Sequence, residues 1–283
     1  MMDSFDNSNL KKPIVITPPT RLEFPNLREV FKYQDLLWLL VRRDLKVRFQ
    51  QTLIGFLWIL LQPIINMLIF YVILGILVKV PTGDIPYPVF FLSGFVVWQL
   101  FSQIVNACAY SLLWNVGVIT KSYFPRLVLP ISATFSSIVD FLISFGLLLV
   151  FLIANHYQIT ARFLLLPIIL VITLLFSSGI GLLFGALMVV FRDTKNFLSF
   201  IMTIWMYITP VMFPVLIVPL EYQILFYINP LTSLVEIFRW MSLGTGTIPD
   251  PINLFVSFIV ALGLWFAGAI AFRAMENKIA DVM

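Results

Sequence analysis

Six apolar runs, each close to the length that crosses a bilayer, leave this chain few ways to fold. A hydrocarbon core about 30 Å thick takes roughly 20 helical residues. Within lipid, each backbone N–H and C=O must be satisfied inside its own segment or buried in protein. The runs lie at about 53–78, 89–116, 131–154, 163–191, 197–215 and 252–272. They predict an all-α polytopic membrane protein with six transmembrane helices. Composition points the same way: 60% of the 283 residues are hydrophobic and only 11% are charged, a balance foreign to soluble domains of this size.

Basic residues predict the orientation. Arg42, Arg43, Lys46, Arg48, Lys121, Arg126, Arg192, Lys195, Arg273 and Lys278 flank one set of span ends, while Lys79, Arg162 and Arg239 fall on the other. The positive-inside rule places the first set, and both termini with it, in the cytoplasm. The net charge of +4 is therefore an orientation signal and not a nucleic-acid footprint. Residues 1–26 are polar and Pro-punctuated, which predicts a disordered tail or one draped on a partner. The tail has no signal-peptide apolar core, so the first span is expected to serve as an uncleaved anchor.

Residues 27–52 read as an amphipathic interface helix, with Val30, Phe31, Leu37, Val41 and Leu45 on one broad face. Arg42, Arg43, Lys46 and Arg48 crowd its end. It would lie in the cytoplasmic membrane interface, against a partner subunit, or both.

Two connections stand out. Residues 118–130 form a short basic, aromatic loop in which Pro125 and Pro130 predict about one turn of helix near 125–129. Tyr123, Phe124, Leu127 and Val128 supply apolar knobs, and Lys121 and Arg126 supply charge. Docking on another protein and anchoring at the lipid headgroups both fit that composition. Residues 216–251 carry two apolar pieces too short to cross, 220–228 and 231–243, broken at Asn229-Pro230. Two half-length re-entrant helices in the outer leaflet are expected there, with Glu236 and Arg239 spaced to pair on one face.

Polar groups within the spans fall in stripes. Gln62, Asn66 and Phe70 share a face of the first span, and Gln99, Gln103 and Asn106 share one of the second. The fifth carries Met202, Met206, Thr209 and Phe213 beside Trp205 and Tyr207. Amides with aromatic rings suit a conduit for a polyhydroxylated solute, and also suit simple helix–helix hydrogen bonding. The conduit candidates are Trp58, Gln62, Asn66, Phe70, Trp205, Tyr207 and Phe213. Asp140 lies with Ser136 and Ser144 on one face of the third span, an ion or proton site or a structural hydrogen bond. Gly181 and Gly185 permit close helix approach in the fourth.

Catalytic signatures are missing. No Gly precedes a Lys, so there is no phosphate-binding P-loop. The single Cys108 and single His156 make neither a disulfide nor a metal set, and no metal site is expected.

Several motifs together resemble the membrane subunits of type-2 ABC exporters of bacterial cell-surface polysaccharides, the family of O-antigen, capsular polysaccharide and teichoic acid permeases. They are Arg43-Asp-Leu-Lys-Val-Arg-Phe49, Leu53-Ile-Gly-Phe-Leu-Trp58 with Gln62-Pro63, Lys121-Ser-Tyr-Phe-Pro-Arg126 with Leu129-Pro130, Phe191-Arg-Asp193, Tyr207-Ile-Thr-Pro-Val211, and Asn229-Pro-Leu-Thr232 with Glu236 to Arg239. The likeness runs from about Leu36 onward. It implies a transporter subunit and not an enzyme, a homodimer in the bacterial inner membrane, and two separate cytoplasmic ATPase subunits. ATP and Mg would be bound there, with no cofactor on this chain. It makes Lys121, Ser122, Tyr123, Phe124, Pro125, Arg126 and Leu127 the coupling helix that inserts into the ATPase. It makes Asn229, Pro230, Glu236 and Arg239 part of an outer gate. The alternatives are a membrane enzyme acting on lipid-linked sugars and a proton-coupled carrier using Asp140.

Overall fold

The computed structural model describes residues 27–50, 57–121, 124–244 and 250–282. Expectations for 1–26, for 51–56, and for Ser122 and Tyr123 lie outside them, as do the side chains of Arg48 and Lys278. The described residues form helices: α1 (Leu27–Lys32), α2 (Gln34–Gln50), α3 (Leu57–Phe70), α4 (Tyr87–Trp114), α5 (Val116–Ile119), α6 (Val128–Ala154), α7 (Leu166–Val190), α8 (Thr194–Ile208), α9 (Leu220–Tyr227), α10 (Pro230–Leu243) and α11 (Pro251–Val282). A π-helical stretch, Tyr71–Leu77, prolongs α3, and a 3-10 turn, Ala161–Leu165, leads into α7.

Five of these units are long and apolar enough to cross a bilayer: Leu57–Leu77, Tyr87–Trp114, Val128–Ala154, Ala161–Val190 and Pro251–Met275. The expected fifth span, 197–215, is shorter than its apolar run. Helix α8 stops at Ile208 because Thr209 turns extended and Pro210 has no amide hydrogen to continue the ladder. Its 15 residues reach only about 22 Å. The last helix is longer than the apolar run 252–272 and continues to Val282.

The hub is α4. In its most apolar window 83% of residues are buried, against 11% for the first span. Phe91, Phe101, Ile104 and Leu100 are wholly enclosed by α6, α7 and α10. Glycines set how closely the neighbours approach. A Cβ on Gly181 would meet Cys108 and the Val105 carbonyl of α4. Where α7 meets α11, a Cβ on Gly179 would stand 2.6 Å from the Trp265 backbone nitrogen, and one on Gly268 would fall on the Gly179 carbonyl oxygen. Backbone touches backbone there, the arrangement small residues permit in membranes.

At one end of the bundle, α2 lies across the ends of α4, α6, α7 and α11. Val30, Leu37, Leu40 and Val41 pack there with Leu112, Leu127, Val128, Val189 and Phe272. The interface helix is not continuous, since the chain turns at Tyr33 between α1 and α2. That break takes Phe31 off the packed face, and it is 74% exposed.

Candidate functional site

The 118–130 connection folds differently from its expected form. Asn115 ends α4, its Nδ2 donating to the Ser111 carbonyl at 2.8 Å, and a single turn, α5, follows. The turn after Pro125 is not isolated. Val128 N bonds the Pro125 carbonyl at 3.0 Å, and α6 starts at once, with Pro130 in its first turn, where a missing amide hydrogen costs nothing. Phe124 and Leu127 are not outward knobs: they are 5% and 9% exposed, packed in the cluster under α2. The outward face at this end is Leu113, Trp114, Gly117, Thr120 and Lys121, with Pro125 and Arg126 half-buried. Phe191, Arg192 and Lys195 are exposed on the α7–α8 connection. Arg43 braces this end from α2, donating to Asn115 Oδ1 and, at 2.7 Å, to its neighbour Asp44. Arg42 and Lys46 point outward.

The polar stripes divide. On α4, Gln99 is buried and its Oε1 accepts from Ser144 of α6 at 3.1 Å, while Asn106 donates to the Ser102 carbonyl of its own helix. These amides bind helices together. Asp140 is buried on the same face of α6 as Ser144. On α3 the amides look outward: Gln62 is exposed, and half-buried Asn66 donates to the Gln62 carbonyl at 2.9 Å. Trp58 is exposed beside them, whereas Phe70 stacks on Phe91 at 5.2 Å. On α8, Met202 and Thr209 are buried, so that stripe is a packing face. Trp205 is wedged edge-on between Phe101 and Phe176. Phe213 meets Phe226 at 6.0 Å. Tyr207 looks outward at 60% exposure, in line with exposed Asn196, Ser199 and Thr203.

At the opposite end, Asn229 joins α8 to α10. Its Oδ1 accepts from Trp205 Nε1 and from Leu231 N, both at 3.1 Å, and its Nδ2 donates to Thr209 Oγ1 at 3.0 Å. As the N-cap it satisfies an orphan amide of α10, and Pro230 takes the first helical position. Glu236 and Arg239 do not pair directly. Glu236 accepts from Tyr227 at 2.9 Å, and burial pushes its carboxyl above the ordinary range. Arg239 turns inward. Its Nη2 donates to the carbonyls of Pro210 and Val211 at 3.1 and 3.2 Å, and its Nε to Ser93 at 3.4 Å. The guanidinium lies 3.8 Å from the Phe90 ring centre. Burial lowers its pKa to about 10, so it is still cationic at neutral pH.

A family model described as ABC-2 type transporter matches residues 35–243, which takes in the bundle from α2 to α10. The chain belongs to the ABC-2 type transporter family. An O-antigen export system permease protein, RfbA, of Myxococcus xanthus is 29% identical over 258 residues, covering 90% of this chain and 98% of the relative. The Klebsiella pneumoniae protein of the same name is 27% identical over 250 residues, 88% of this chain and 95% of its own length. Polysialic acid transport protein KpsM of Escherichia coli is 28% identical over 240 residues, 83% and 91% of the two chains. This ABC-2 subunit is thus a transporter component and not an enzyme.

Sequence reasoning missed two groups in the ABC-2 bundle. Asn115 and Leu40 fix the cytoplasmic-loop geometry, yet neither carries a pattern that sets it apart. Phe90, Ser93 and Gly94 form the seat for Arg239, and the one available signal was a glycine inside an otherwise bulky span.

Proposed function

We propose that this chain is the membrane-spanning subunit of an ATP-driven exporter that carries a bacterial cell-surface polysaccharide from the cytoplasm across the inner membrane. It works as a homodimer with two cytoplasmic ATPase subunits, which bind ATP and Mg. The relatives named for O-antigen export and polysialic acid transport support the cargo class. The observation that carries the reading is the outward polar face of α3. A span that is 11% buried would meet lipid along most of its length, yet it displays the Gln62 amide there. A polar group facing hydrocarbon is costly. Opposed to a second copy across a hydrated conduit, Gln62 and Asn66 gain partners, and the exposed Tyr207 stripe of α8 offers rings and hydroxyls to sugar.

Gln62→Leu with Asn66→Leu, and separately Tyr207→Ala, are expected to cut polymer export while leaving protein level and basal ATP hydrolysis at wild-type values. Unchanged export in both, measured by polymer at the cell surface, would move the conduit elsewhere.

Both termini and the 115–126 loop lie in the cytoplasm in this reading. In protein with Cys108 replaced, single cysteines at Lys121 and Arg192 should react only with cytoplasmic-side reagents, and those at Asp84 and Asp250 only from outside. Reversal at two of the four sites would invert the topology and remove the ATPase contact.

A further inference from the structure

We propose that Arg239 is a positioning residue that holds the outer end of α8 shut against α4 and α10, so that the conduit is sealed until this contact is released. The inference rests on the export reading, because α8 matters here as a wall of the conduit. An arginine buried to 8% exposure would ordinarily be matched by a carboxylate. Here the guanidinium is matched by backbone. Its two carbonyl acceptors, Pro210 and Val211, follow directly on Thr209, where the helical ladder of α8 ends and carbonyls go unpaired. These carbonyls also form the negative end of the α8 dipole. The cation therefore caps α8 from a different helix. The same side chain reaches Ser93 and the Phe90 face on α4, so one residue of α10 ties three elements.

The seat is shaped for it. A Cβ on Gly94 would stand 2.6 Å from Arg239 Nη2 and 3.2 Å from the Val211 Cα, closer than side chains tolerate. Tyr87, two turns earlier on α4, donates its hydroxyl to the Met212 carbonyl at 3.0 Å and holds the same strand of backbone. The neighbouring helices are unequal. In α10 nearly every side chain is buried, whereas α9 has no buried residue and shows Leu220, Ile224 and Ile228 outward. So α10 with Arg239 is the fixed post, and α9 is free to move without breaking a core.

The test is passive leak. The full-length subunit is reconstituted into potassium-loaded proteoliposomes, and ion efflux is read without ATP for wild type, Arg239→Gln, Arg239→Lys, Gly94→Ala and the Gly94→Ala, Arg239→Gln pair. Arg239→Gln loses the cation and one donor fork; Gly94→Ala pushes the guanidinium off its carbonyls from the other side. Each is expected to raise efflux several-fold at an unchanged melting temperature. The pair should leak no more than the worse single variant, because both break one contact. Arg239→Lys, which keeps charge and donors, should leak least. Folded variants that stay tight, or whose leaks add, overturn the proposal. If Arg239→Gln does not fold, Gly94→Ala and Arg239→Lys decide in the same assay. Failure of all three to fold would make Arg239 a core residue with no sealing role, and the proposal falls. A wild type that, joined to its ATPase, moves no polymer would instead sink the export reading.

Discussion

Gly268→Leu is expected to leave no monodisperse subunit to purify. The new side chain would have to occupy the place of the Gly179 carbonyl, a backbone atom with no rotamer to escape into. Overpacking a core against movable side chains already costs about 1–3 kcal/mol, and here two helices must separate along their closest contact. Gly179→Leu meets the Trp265 backbone from the other side and should fail alike. Gly146→Ala and Gly263→Ala, whose added Cβ would meet nothing within 4 Å, are the controls and should purify normally. Fluorescence-detected size exclusion of the four variants, with melting temperatures for those that survive, reads the result directly. A monodisperse Gly268→Leu would mean that α7 and α11 do not meet as described.

Phe124→Ala and Trp114→Ala are expected to fail in different assays. Phe124 is enclosed by α2 and α6 of its own chain, so truncation opens a cavity costing about 3–5 kcal/mol. The loss should appear as a lower melting temperature of the subunit alone, with no ATPase present. Trp114 is 68% exposed and stacks only on Tyr110 at 5.3 Å, so its removal should leave that temperature unchanged. Trp114→Ala combined with Lys121→Ala should weaken ATPase co-purification or separate hydrolysis from export, since truncating a buried interface aromatic costs about 2 kcal/mol or more. Normal assembly and export in that double variant would return docking to the other face of the loop.

Much of the architecture could be read from residue order. Long apolar runs have only helices open to them in lipid, and Asn229-Pro230 breaks the outer segment where the structure places α9 and α10. Helix ends were harder to place. The run 197–215 stays apolar beyond Ile208, and its helical part stops on backbone chemistry at Thr209-Pro210 that hydropathy does not register. Which side of an aromatic faces out was not legible either. Phe124 looks like a docking knob until α2, about 80 residues earlier in the chain, is seen to cover it. Glu236 and Arg239 have the spacing of a helical ion pair, yet each has a better partner off the helix: a tyrosine in one case, two free carbonyls in the other. Local spacing states which contacts are open to a residue, and tertiary packing chooses among them.

The enclosure of α4 has a consequence for how the protein is made. Of the five spanning helices it has the lowest mean hydropathy, 1.6, because it carries the amides and hydroxyls that later bond α6 and α10. Leaving the translocon, it enters lipid before α6, α7 and α10 have been synthesised, with Gln99, Ser93 and Gln103 still lacking their final surroundings. The first span, apolar at 2.3 and dependent on few neighbours, can settle at once. The helix around which the rest assembles is thus the one least at ease by itself in the membrane. Its lasting insertion waits on chain that emerges some 50 to 150 residues later, so a ribosome stalled near residue 120 would hold the subunit at its most vulnerable to membrane proteases.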